Sequence, residues 1–139
     1  MEHLGEFLVN HWILATLFVV LASMLMSDSL NQKLSGMTPI STAQAIQLVN
    51  QQKGIFLDIR EKDEFNKEHI ADSTSMPLST LADNLASLKD KSQPIILVCA
   101  SGQRSRSAAK QLKQNGFTEI YVLTGGLNSW KEAKLPLFS

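Results

Sequence analysis

The sequence lacks the residues that a metal centre or a nucleic-acid surface would need. One cysteine and three scattered histidines, His3, His11 and His69, have no zinc-ligand spacing among 139 residues. Thirteen basic residues balance thirteen acidic ones, so no strongly basic surface is expected. With a single cysteine no internal disulfide can form, which favours a reducing compartment. We therefore expect neither a metal site nor a nucleic-acid partner.

The N-terminal part also lacks charge, and its composition predicts a membrane anchor. Residues 7–27 contain no Asp, Glu, Lys or Arg. As a helix they would span about 30 Å, the thickness of a bilayer's hydrocarbon core. The basic start and small-residue end of a signal peptide are missing, and the segment has no polar face that would suit a buried core helix. We predict an anchor in residues 1–27, with a transmembrane helix at about 7–27.

The distribution of basic residues predicts how the chain lies in the membrane. All 13 follow the apolar segment, beginning with Lys33. This bias favours a single-pass protein of the cell membrane with its N-terminus outside and its C-terminal part in the cytoplasm. The polar residues 28–37 predict a linker, and residues 38–139 suffice for one domain.

The C-terminal part alternates between strand and helix patterns. The patterns predict strands at residues 38–40, 55–58, 74–76, 95–98 and 120–123, and helices at about 41–50, 61–66, 79–88, 105–115 and 127–133. The spacing of Ser41 and Gln44 predicts a capping box at the start of the first of these helices. Such alternation is typical of an α/β fold with a mainly parallel sheet and helices on both faces. Ligands of these folds bind beyond the carboxyl ends of the strands.

Cys99 follows a predicted buried strand at such an end and precedes a helix. The loop continues Ala100-Ser101-Gly102-Gln103-Arg104-Ser105. Its backbone N–H groups and the helix dipole can favour a thiolate and attract an anion, and Arg104 adds a permanent positive charge. The hydroxyls of Ser101 and Ser105 can cap the helix or donate to an anion. The structural alternative is a buried cysteine before an ordinary capped turn, with Arg104 in solvent.

Four sequence pieces resemble the single-domain rhodanese-like sulfurtransferase family over residues 38–136. They are Leu57-Asp58-Ile59-Arg60-Glu61 with Glu64-Phe65, then His69-Ile70, then the loop Cys99 to Ser105, and then Leu123-Thr124-Gly125-Gly126 followed by Trp130. The resemblance implies a rhodanese-like α/β fold. It also implies that Cys99 carries sulfur as a persulfide, that residues Ala100 to Ser105 bind the donor anion, and that no cofactor is needed. The implied partners are a small sulfur-donor anion and a thiol or protein acceptor.

Two other functions compete with sulfur transfer. Cysteine phosphatases of similar fold carry one more residue between cysteine and arginine than the four present here, which disfavours that activity. Rhodanese-like folds also serve as interaction modules, here for a membrane protein. Asp58 and Arg60 are interpreted as structural residues that hold the strand end and the neighbouring loops through hydrogen bonds, because buried charges are usually paired. The alternative for both is a catalytic role. Ala100 leaves less positive charge at the mouth of the loop than the family commonly has, which implies weaker thiosulfate binding or another donor.

Overall fold

The computed structural model describes residues 2–100 and 104–139. The chain divides into two units, Met1–Leu34 and Ser35–Ser139. The first unit is helical, and the second is an α/β unit that contains Cys99.

The N-terminal unit contains helix α1 (Glu2–Asn10) and all but the last residue of helix α2 (Trp12–Ser35), separated at His11. The Phe7 carbonyl accepts the His11 backbone N–H at 3.0 Å, and the His11 ring Nδ1 lies 3.1 Å from the same oxygen. A side chain that joins the helical hydrogen-bond ladder in this way is a common cause of a helix bend. Every large apolar side chain from Leu4 to Leu30 is at least 50% exposed.

The prediction of one spanning helix over residues 7–27 is not confirmed. Within the described residues, no single helix has the length and hydropathy of a membrane span. The pair His3–Asn10 and Trp12–Ser27 has them only together, and it is bent by 84°. The apolar composition was visible in the sequence, whereas composition does not reveal the break at His11, where the ring and the backbone N–H share the Phe7 carbonyl.

The α/β unit contains a five-stranded parallel sheet in the order β1-β6-β5-β2-β4. Its strands are β1 (Thr38–Ile40), β2 (Ile55–Asp58), β4 (Thr74–Ser75), β5 (Ile95–Val98) and β6 (Ile120–Leu123). Its helices are α3 (Thr42–Gln52), α4 (Lys62–Lys67), α5 (Leu81–Asn84), α6 (Ser105–Gln114) and α7 (Gly126–Glu132). The predicted capping box at the start of α3 is confirmed, since Ser41 and Gln44 each accept the other's backbone N–H.

Helices cover both faces of the sheet, as predicted. The central strand β5 is buried on both sides, and its alternate residues enter two cores. Ile95 and Leu97 pack in a core to which α5 and α6 contribute. Ile96 and Val98 pack in the other core, to which α3 and α7 contribute. This double burial explains the uninterrupted apolar run that precedes Cys99.

Two parts of this unit differ from the sequence-based prediction. The helix expected at residues 79–88 is divided into a 3₁₀ turn (Leu78–Thr80), α5 and a second 3₁₀ turn (Leu85–Ser87). Asn84 donates to the Thr80 carbonyl and Ser87 to the Asn84 carbonyl, and such side-chain bonds compete with a regular helix. The antiparallel pair β3 (His69–Ile70) and β7 (Leu137–Phe138) was not predicted, because two-residue strands have no periodicity.

Candidate active site

Cys99 lies directly beyond the carboxyl end of β5, the central strand of the sheet. Helix α6 begins six residues later at Ser105. The Ser105 hydroxyl donates to Cys99 Sγ at 3.6 Å, and Ser105 is fully buried. The sequence predicted that Ser105 caps the helix or donates to an anion. Among the described residues no side-chain hydrogen bond caps α6, whose N-cap residue is Arg104, and the role of Ser105 as an anion donor stays a prediction. The contact between Ser105 and the sulfur was not indicated by sequence spacing.

The Cys99 side chain is buried in this structure. It is 1% exposed and packs in the core that also contains Ile59, Leu97 and Ala108. The predicted anion-binding residues Ser101, Gly102 and Gln103 lie outside the described residues. The predicted role of the loop's backbone N–H groups therefore stays a prediction. Among the described contacts, Cys99 packs in the core and accepts a hydrogen bond from Ser105.

Gly126 provides the close packing beneath the loop. The Leu127 N–H donates to the Cys99 carbonyl at 2.8 Å. A Cβ on Gly126 would lie 2.1 Å from that carbonyl oxygen, and the Gly126 φ of +59° disfavours other residues. The Gly125-Gly126 motif was noticed in the sequence, but its physical reason needs the contact with the Cys99 backbone.

The Asp58–Arg60 pair was correctly interpreted as structural. Strand β2 neighbours β5, so its carboxyl end lies beside that of the Cys99 strand. Arg60 Nη2 is 2.7 Å from Asp58 Oδ2, and both side chains are buried. The same nitrogen donates to the Glu68 carbonyl at 2.7 Å. These bonds fix the connection between β2 and α4, which borders the site.

Arg104 has a carboxylate partner that the sequence did not reveal. Its Nη2 lies 3.2 Å from Glu64 Oε2, an ion pair across 40 residues of chain. The two side chains are 35% and 45% exposed. Glu64 was visible only as part of the Glu64-Phe65 motif. The cation predicted to bind a donor anion thus already contacts an anion of the protein.

A cleft of about 220 Å³ lies between α4 and α7 and reaches the loop at Ala100. Arg60, Glu64, Glu68, Ala100, Leu127 and Lys131 line it, among others. Lys131 forms an ion pair with Glu68 across the cleft. The peptide next to Cys99 is therefore bordered by both positive and negative side chains, an environment suited to a small polar reactant.

Comparison with known proteins agrees with this architecture. The rhodanese-like domain family matches residues 41–133. Thiosulfate sulfurtransferase GlpE of Coxiella burnetii is 34% identical over 92 residues, covering 66% of this chain and 85% of GlpE. The uncharacterized protein YibN of Escherichia coli K12 is 30% identical over 139 residues, covering 99% of this chain and 97% of YibN. The chain belongs to the rhodanese-like sulfurtransferase family.

The solved structures support the same fold. The rhodanese-like domain of the Anabaena Alr3790 protein superposes with a TM-score of 0.66 at 25% identity, covering 73% of this chain and 78% of that one. The rhodanese-like α/β fold of residues 38–139 was therefore predicted correctly.

Proposed function

We propose that the protein is a sulfurtransferase that carries sulfane sulfur as a persulfide on Cys99. The Cys99 thiolate attacks the outer sulfur of a thiosulfate-like donor, the donor's S–S bond breaks, and sulfite leaves with the bonding electron pair. A thiol or cyanide then attacks the terminal sulfur of the persulfide. The new bond forms as the persulfide bond breaks, and the thiolate is restored without any change in the protein's redox state.

The main support is the position of Cys99 between β5 and α6 in a member of this family. The start of a helix favours negative charge, and the Ser105 hydroxyl donates to the sulfur. The thiolate is the form that attacks sulfur. GlpE is named a thiosulfate sulfurtransferase, and the alignment with it covers most of GlpE. We extend that activity to this chain, with residues Ala100 to Ser105 as the proposed anion-binding loop.

The test is sulfur transfer from thiosulfate to cyanide, with mass spectrometry of the intact protein. We expect thiocyanate formation and one added sulfur on Cys99 after exposure to thiosulfate. Cys99→Ser should abolish both. Ser107→Ala, an exposed serine on the same helix, is the matched control and should retain both. Absence of transfer and of added sulfur with several donors, in folded and reduced protein, would refute the proposal.

We also propose that the N-terminal unit anchors the protein to the cell membrane, with the α/β unit in the cytoplasm. Exposed apolar side chains along α1 and α2 support it, because water disfavours such a surface. Deletion of residues 1–35 should move the protein from the membrane fraction to the soluble fraction with its α/β fold intact. A C-terminal epitope should resist protease until the cells are lysed. A fragment that stays in the membrane, or an epitope digested in intact cells, would contradict the anchor or its orientation.

The burial of Cys99 favours a second candidate, an interaction module for a membrane protein. In that case the fold would bind its partner without using the sulfur chemistry. Cells carrying Cys99→Ser decide between the two functions. Loss of the biological role supports sulfur transfer, whereas full retention supports the interaction module.

A further inference from the structure

Arg104 offers positive charge to the proposed site, but Glu64 already contacts it. The Glu64 carboxylate oxygen lies 3.2 Å from Arg104 Nη2. Glu64 lies in α4, which is far from the Cys99 loop in sequence but borders the same cleft. The contact uses one guanidinium nitrogen of a side chain with five N–H donors. Both partners are partly exposed, so water and small ions can reach the pair.

A donor anion that binds Arg104 must therefore compete with a carboxylate. Thiosulfate carries two negative charges, and the nearby Glu64 repels it while holding the guanidinium. A partly exposed pair can be broken by a ligand, since such pairs are weak. The pair thus lowers affinity for small dianions without closing the site. The ion pair lowers the affinity for a donor with two negative charges more than the affinity for a neutral reactant.

We propose that Glu64 is a specificity-determining residue that raises the KM for small dianionic sulfur donors through its ion pair with Arg104. The inference rests on the proposed sulfurtransferase function and deepens it. The Glu64 carboxylate partly neutralises the positive charge of Arg104 and so weakens the attraction between Arg104 and a donor anion. The Glu64 carboxylate lowers the affinity for a donor with less charge, such as an organic persulfide or a polysulfane, by less than it lowers the affinity for thiosulfate.

The first test compares kinetics of the full chain and of Glu64→Gln, which keeps the side-chain shape and removes the charge. The KM for thiosulfate should fall by about twofold to fivefold, the factor that a partly exposed pair is worth, with little change in kcat. Loosening of the loop would instead raise KM or lower kcat. Asp63→Asn is the matched control. It removes one negative charge from an exposed residue of the same helix that has no ion pair among the described residues. A KM that falls no further in Glu64→Gln than in Asp63→Asn, or that rises, would overturn the proposal.

A second readout does not require turnover. Iodoacetate and iodoacetamide alkylate the same thiol and differ in charge, so the ratio of their rates at Cys99 reports the local preference for anions. Glu64→Gln should raise the iodoacetate share by a similar factor, and Asp63→Asn should not. If the ratio shifts but neither the wild type nor the variants transfer sulfur, the proposed function fails, whereas the effect of Glu64 on anion preference at Cys99 stands. If transfer occurs with an unshifted ratio and KM, only the role of Glu64 fails. If Cys99 neither transfers sulfur nor reacts with either reagent, both proposals fail.

Discussion

The two units of this chain use apolar residues in opposite ways. In the N-terminal unit, leucine, valine and phenylalanine are exposed along both helices, as Leu17 is at 61%. In the α/β unit, residues of the same chemical kind fill two cores on either side of the sheet, as Ile96 does at 0%. An apolar side chain stabilises a protein only where water is removed from it. Apolar side chains of the same kind therefore stabilise the fold of the α/β unit, whereas those of the N-terminal unit stay exposed.

The comparison also separates two kinds of sequence pattern. Residues 12–26 are apolar on every side of a helix, so no face is assigned to a protein core. Strand β5 is equally apolar, but it is four residues long and lies between elements that can cover both its faces. Length and neighbouring elements, more than hydrophobicity itself, distinguish a buried strand from an exposed apolar helix.

The largest difference between the units is expected from truncation of one apolar side chain in each. Ile96→Ala leaves a cavity beside the sheet and should lower the free energy of unfolding of the α/β unit by about 2–5 kcal/mol. Leu17→Ala, in exposed α2, should change it by less than about 0.5 kcal/mol. Urea unfolding of the two full-length variants, followed by circular dichroism, measures both. Equal losses would mean that the N-terminal unit also contributes to the folding of the α/β unit.

The same contrast explains how much of the fold could be predicted. Strands such as Ile55–Asp58 and Ile120–Leu123 were predicted because burial requires unbroken apolar runs, and the start of α3 because Ser41 and Gln44 form a local cap. Elements that depend on distant contacts were missed. Strand β3 is defined only by β7, almost 70 residues later. The region of α5 was predicted as one helix because its side-chain bonds to the backbone have no apolar period.

The candidate site was predictable to the same degree. Cys99 could be placed from the strand before it and the helix after it, and Asp58–Arg60 from the rarity of buried lone charges. The partners that control the site come from other elements. Glu64 forms its ion pair with Arg104, and Ser105 its hydrogen bond with Cys99, only after the chain has folded. The same is true of the close packing of Gly126 against the Cys99 carbonyl. Local sequence contains the chemical groups, and their pairing is a property of the sheet topology.

Glycines in the two units have different surroundings. Gly126→Ala would place a Cβ 2.1 Å from the Cys99 carbonyl oxygen at a φ of +59°. Since the obstacle is backbone and the conformation is left-handed, we expect a loss of at least about 2 kcal/mol in the free energy of unfolding. Gly5→Ala meets no described heavy atom within 4 Å and should leave the α/β unit unaffected. Thermal unfolding of both variants is the measurement, and a neutral Gly126→Ala would mean that the loop at Cys99 can move away.

The smallest expected effect concerns Asp90, a fully exposed side chain of the α/β unit. The Ser92 hydroxyl donates to Asp90 Oδ1 at 2.6 Å and the Ser92 N–H at 3.0 Å. These hydrogen bonds, the hydroxyl's first, lower the pKa of Asp90 below its ordinary value. At acidic pH the unfolded state then binds more protons than the folded state, so this contribution is complete above about pH 5 and is lost as pH falls through the folded pKa.

Asp90→Asn should therefore be slightly less stable than the wild type near pH 6, and the difference should be smaller at about pH 2, since it is lost as pH falls through the lowered folded pKa of Asp90. Urea unfolding at both pH values measures it, and Ser92→Ala, which removes the stronger donor, should reproduce part of the change. An equal difference at both pH values would assign the effect to something other than the carboxylate charge. If the predicted pattern holds, an exposed residue of the α/β unit can contribute to stability, in contrast to the exposed apolar residues of the N-terminal helices. An exposed side chain contributes where the fold supplies it with donors, and the turn at Asp90 supplies two.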